Sequence, residues 1–146
     1  MRAEFFLIVF GRILLSLLFI LSALSKIGAW APLVQQLNGK GIPYAPFFLG
    51  AALVIELVGG LTLLLGWHAR LGAWLLFLYL IPTTVIMHNF WAYTGEEQQV
   101  QLVNFLKNLA IMGGLLLVPA NTEQRVIAAR EQPERLRERS PRTRAA

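Results

Sequence analysis

Four charged residues interrupt long apolar stretches of the sequence: Arg12, Lys26, Glu56 and Lys107. Arg70 and His88 stand at the ends of such stretches, and Asn104 and Asn108 flank Lys107. Within hydrocarbon an ionisable group at mid-depth costs at least about 2.5–3.5 kcal/mol, so such groups turn inward and find partners. Basic groups outnumber the single acid here, which suits an anion, a quinone carbonyl or a lipid headgroup. Glu56 is a candidate proton relay, and His88 adds an imidazole that donates or accepts.

The spacing of these residues defines stripes. Arg12, Ser16, Phe19, Ala23 and Lys26 recur at intervals of 4, 3, 4 and 3, which is one helical face. Arg70, Trp74, Phe77, Ile81, Thr84 and His88 repeat the pattern. Glu56, Gly59, Gly60 and Leu63 line up on another helix, and Asn104, Lys107, Asn108 and Ile111 on a fourth. The expectation is that all four stripes converge on one interior. Counting along the helices puts Glu56 about 15 Å and Lys107 about 18 Å from the same membrane face, which predicts a Glu56–Lys107 ion pair. Gly59, Gly60, Gly113 and Gly114 are expected to allow close helix packing.

Other chemistries find no residues to carry them. There is no cysteine, hence no disulfide, thiolate, iron–sulfur ligand or covalent haem attachment. Aspartate is absent and no histidine lies close to a glutamate in sequence, so no metal site is expected. No P-loop, GxGxxG or Ser/His/acid set occurs. His68 and His88 are roughly 30 Å apart if helical, which excludes a bis-histidine haem within the chain. No residue is assigned as catalytic.

The elements that must position these residues are membrane helices. Of 146 residues, 56% are hydrophobic and 14% charged. Spans of about 5–26, 46–66, 71–88 and 100–118 are each close to the roughly 20 residues that cross a bilayer. They form an all-α, four-transmembrane-helix bundle over residues 1–119, followed by an Arg/Glu-rich tail over 120–146. Loops are expected around Ala31–Tyr44 and Asn89–Gln99, with a tight turn at Gly66–Arg70 that makes the second and third helices antiparallel neighbours. The first run is longer than a signal-peptide core and contains Arg12, so it reads as a span and not a cleaved leader. Pro82 is expected to kink the third helix. Trp30, Trp67 and Trp91 fall near interfaces as an aromatic belt, with Trp74 deeper.

The net charge of +5 does not indicate nucleic acid. Seven of the thirteen basic residues lie beyond Pro119, interleaved with four glutamates. Arg2, Arg70 and that tail fall on one side of the membrane, with Lys40, Glu96 and Glu97 on the other, which predicts cytoplasmic termini. An internal repeat is also visible. Arg12–Phe19 (RILLSLLF) aligns with Arg70–Phe77 (RLGAWLLF), and Glu56–Leu63 (ELVGGLTL) with Ala110–Leu117 (AIMGGLLL). The order suggests two parallel helical hairpins.

Taken together, Gly11-Arg12, Ser25-Lys26, Gly41-Ile42-Pro43, Glu56–Gly66 (ELVGGLTLLLG), Arg70, His88-Asn89-Phe90, Asn104–Asn108 (NFLKN) and Gly113-Gly114 resemble the DoxX family of small bacterial and archaeal membrane proteins. The resemblance spans roughly Gly11 to Pro119. It implies a multi-pass protein of the plasma (inner) membrane. It further implies a membrane subunit of a thiosulfate:quinone oxidoreductase or an oxidative-stress complex, with a bound quinone and a soluble or membrane redox partner. A distant relation to a eukaryotic secretory cargo receptor shows that the fold does not require redox chemistry. Two alternatives stand beside the redox subunit: a small-anion transporter, which would need to be a homo-oligomer, and a scaffold that tethers soluble partners through the tail.

Overall fold

The computed structural model describes residues 2–139, and the side chains of residues 3–120. The chain folds as helices α1 (Arg2–Gly28), α2 (Trp30–Gly39), α3 (Ala45–Leu65), α4 (Ala69–Met87) and α5 (Gly95–Arg139), with one 3₁₀ turn at Phe90–Ala92. Four stretches are long and apolar enough to cross a membrane: Ala3–Gly28, Ala45–Leu65, Ala69–Ala92 and Gly95–Ala120. The expected four-helix, all-α membrane bundle is what forms.

Two expected loops are more ordered than their composition suggested. Within Ala31–Tyr44 the chain makes α2, a short helix with no buried residue. Its Pro32 lies in the first turn, where the missing N–H and fixed φ are tolerated. Within Asn89–Gln99 the 3₁₀ turn packs Phe90 and Trp91 on Phe105, with ring centroids 5.4 Å and 6.1 Å apart, and α5 begins at Gly95.

The α3–α4 reversal uses two left-handed residues, Gly66 (φ 73°) and His68 (φ 52°), around Trp67. The Gly66 N–H donates to the Thr62 carbonyl at 3.0 Å, which caps α3. We call this the turn end of the bundle, and the opposite end, with α2 and the 3₁₀ turn, the loop end.

Packing runs in the order α1–α3–α4–α5, and α1 meets α5 only over a short stretch. Large apolar residues mostly point outward, as in Leu7, Leu65 and Leu117. The interior is built of small and weakly polar residues beside Phe19, Leu63, Leu76, Leu80 and Leu115: Ser16, Ala23, Gly59, Gly60, Gly72, Ala73 and Thr84. Lipid tails are as apolar as leucine, so helices associate by close backbone approach and not by hiding hydrophobic surface. A Cβ on Gly59 would strike the Leu76 side chain, and one on Gly72 would overlap Thr62 Oγ1.

The interior stripes of α1 and α3 fall where expected, with Ser16, Phe19 and Ala23, and then Glu56, Gly59, Gly60 and Leu63, all buried. The stripe expected on α4 is largely wrong. Gly72, Ala73, Leu76, Leu80 and Thr84 face inward, whereas Trp74 and Ile81 are exposed and so is Arg70. On α5, Met112, Leu115, Val118 and Pro119 are buried. Beyond Ala120 the expected tail continues α5 as far as Arg139. Its side chains and residues 140–146 lie outside the described residues.

Candidate functional site

Where α1, α3 and α4 meet, four side chains form one polar cluster. Lys26 Nζ donates to both Glu56 oxygens, at 2.9 Å to Oε1 and 2.8 Å to Oε2. The Tyr79 hydroxyl donates to Oε1 at 3.0 Å, and Ser22 Oγ does so at 3.2 Å. Ser22 Oγ in turn accepts from Lys26 at 2.7 Å. Every neighbour bonded to the Glu56 carboxylate is therefore a donor, and the acid is buried with 3% exposure. The cluster is closed: no buried side-chain nitrogen or oxygen among the described residues lacks a partner.

The expected Glu56–Lys107 pair does not form; Glu56 pairs with Lys26 instead. Helix order is the reason. α4 lies between α3 and α5, which make no contact, and Lys107 is exposed on α5. Lys26 is at a suitable depth because its side chain leans back toward the start of α1, down to the level of Glu56. Tyr79 and Ser22 were missed in the sequence. Tyr79 is the lone tyrosine inside a span, and a phenol enclosed there requires a polar partner. Ser22 stands one turn before Lys26, at hydrogen-bonding spacing.

The other expected interior residues are dispersed. Asn108 Nδ2 donates to Thr84 Oγ1 at 3.0 Å, linking α5 to α4, and Asn104 is half-buried. His88 Nδ1 pairs with Gln101 Oε1 at 2.9 Å at the loop end. Also there, Lys40 donates to Asn89 Oδ1 at 3.0 Å and to the Tyr93 hydroxyl at 3.3 Å, tying the end of α2 to the 3₁₀ segment. The described interior thus holds one balanced ion pair and not the surplus of cations that the stripes suggested.

Arg12 has a different role. Its Nε donates to the Leu63 carbonyl at 3.0 Å, and its guanidinium packs against Gly66. A cation there complements the carbonyl end of α3. Arg70, its counterpart in the internal repeat, has no such contact and is exposed. Likewise Gly60 fits against Ile20, and Gly114 only touches Leu15 at ordinary van der Waals distance, while Gly113 faces open space.

Arg12, His68 and Arg70 line one side of a cleft of about 1020 Å³ at the turn end. Its other walls are apolar: Leu7, Ile8 and Leu15 from α1, Leu71 from α4, and Leu117 and Val118 from α5. The cleft thus lies where α1, the start of α4 and α5 come together, and α1 and α5 themselves touch only briefly. It combines the hydrogen-bond donors of Arg12, His68 and Arg70 with an apolar lining.

Comparison with known proteins places this architecture. The DoxX family model matches residues 7–89, which include Arg12, Lys26, Glu56 and Tyr79. The inner membrane protein YphA of Escherichia coli is 31% identical over 112 residues, covering 77% of this chain and 80% of YphA. YqjF, an inner membrane protein of the same organism, is 32% identical over 108 residues, covering 74% of this chain and 78% of YqjF. The ER-derived vesicles protein ERV29 of Saccharomyces cerevisiae is 26% identical over 117 residues, which is 80% of this chain but 31% of ERV29. No solved structure matches. The family match, the two inner-membrane relatives and the four apolar helices agree: the chain belongs to the DoxX family of multi-pass membrane proteins.

Proposed function

We propose that the protein is a membrane subunit that holds a quinone for a redox partner. The observation that carries this reading is the cleft at the turn end, with Arg12, His68 and Arg70 against apolar walls. Quinone ring oxygens accept hydrogen bonds, and these three side chains are donors. The prenyl tail of a membrane quinone needs apolar surroundings, which the α1 and α5 residues lining the cleft supply. In this reading the chain binds and orients the ring, and the partner supplies the electrons. Lys26, His88 and Lys107 are less suited to the role: the first two are committed to Glu56 and Gln101, and the third stands apart from both. The positive-inside pattern supports a cleft on the cytoplasmic side, with both termini there.

The test is quinone content after gentle purification. Wild type is expected to retain a membrane quinone, measured by solvent extraction and mass spectrometry. The double variant His68→Ala, Arg70→Ala is expected to lose most of it while keeping most of its thermal stability, since both side chains are exposed and outside the packed interior. Equal retention in both proteins, or none in either, rejects the reading.

A second reading, a scaffold for soluble partners, draws on α5. The helix continues 19 residues beyond its span, about 28 Å at 1.5 Å per residue. Truncation after Ala120 that leaves all partners bound in a pull-down removes that reading.

A further inference from the structure

Lys107 stands midway between Gly95 and Ala120, the ends of its membrane span, and is exposed on the outer surface of the bundle. Within the described chain it has no hydrogen-bond or ion-pair partner. Leaning back along α5, its side chain reaches the level of Val103, which is still apolar and exposed. A lysine in that position is costly unless something outside the chain neutralises it. The polar stripe of α5 is split. Asn108 turns inward to Thr84 and Asn104 is half-buried, while Lys107 turns out.

The surface around Lys107 suits a close neighbour. Ala110, one turn on, is exposed, and a Cβ built on Gly113 meets nothing within 4 Å. The glycines that pack the bundle differ, since Gly59, Gly60 and Gly72 are each filled by a side chain. Small residues on a lipid-facing helix let a second helix approach closely.

A second copy of the chain has no suitable acid for Lys107. Glu56 is the one described acid within a span's interior, and Lys26 already neutralises it. Glu4, Glu96 and Glu97 lie in the first turns of α1 and α5. We infer that the face of α5 formed by Val103, Lys107, Ala110 and Gly113 docks a transmembrane helix of a different protein, one carrying a carboxylate near mid-membrane. The inference does not depend on the quinone reading, because none of these four residues lines the cleft.

The test uses a defined probe. A synthetic transmembrane peptide of about 22 leucine and alanine residues, with one central glutamate, is compared with its glutamine twin in phosphatidylcholine proteoliposomes containing the full-length protein. Association is read by energy transfer. The glutamate peptide is expected to bind wild type about tenfold more tightly than the twin. Lys107→Leu is expected to erase that difference, and Lys107→Arg to preserve it. Equal binding of the two peptides to wild type, or a preference that survives in Lys107→Leu, overturns the inference. Because the chain has no cysteine, Ala110→Cys supplies a unique handle for the remaining alternative. Efficient disulfide-linked homodimers through that position would assign the face to a second copy and overturn the choice of partner.

Discussion

Lys26 Nζ lies 2.8 Å from Glu56 Oε2 across the α1–α3 interface, and this is the one ion pair among the described residues. It joins two helices separated in sequence by α2, and Tyr79 extends the connection to α4 through the same carboxylate. Three of the four spanning helices are thus referenced to one buried acid.

Breaking this pair from one side is expected to be expensive. Lys26→Met leaves the Glu56 carboxylate without its counter-ion, and a buried pair broken in this way typically costs about 3–5 kcal/mol. The double variant Lys26→Met, Glu56→Gln is expected to recover most of that loss, because no uncompensated charge remains. Thermal unfolding in lipid bicelles measures both. Equal destabilisation of the single and double variants contradicts the role given to the pair.

Tyr79→Phe removes one donor from Glu56 and creates no cavity. The bond is to a charged group, so the expected loss is about 1.5–3 kcal/mol, smaller than that of Lys26→Met. The same unfolding assay checks the ranking of the two variants.

Arg12 and Gly66 form a second joint. Arg12→Gln loses a charged hydrogen bond to the end of α3 and is expected to cost about 1.5–3 kcal/mol. Gly66→Ala is expected to cost at least about 1–2 kcal/mol, since φ is 73° there and the new Cβ meets the Arg12 guanidinium. The two residues touch, so the double variant is expected to be less damaging than the sum.

Glycines of the same sequence type are expected to differ in tolerance. Gly72→Ala runs into Thr62 and is expected to destabilise by about 1–3 kcal/mol. Gly113→Ala enters open space and is expected to leave the isolated protein unchanged. Comparable effects at both sites would show that the face around Gly113 is packed within the chain.

The topology prediction is tested with reporters. Green fluorescent protein at the C-terminus is expected to fluoresce, and alkaline phosphatase fused after Tyr93 is expected to be active. The reverse pattern inverts the bundle and moves the cleft to the outer face.

The spanning helices and the family were legible in the sequence because both rest on local signals: apolar length, and short motifs around Arg12, Glu56 and Asn104. The interior faces of α1 and α3 were legible too, because small and polar residues recur along them. The α4 face was not. In lipid a helix is apolar on every side, so Trp74 and Ile81 looked as interior as Leu76, and Gly72 and Ala73 were the better markers. The partner of Glu56 depended on which helices are neighbours. Lys26 and Lys107 lie at depths that both fit, and only the placement of α4 between α3 and α5 decides for Lys26. The cleft likewise brings together residues of α1, α4 and α5, a relation between distant segments that no local pattern encodes.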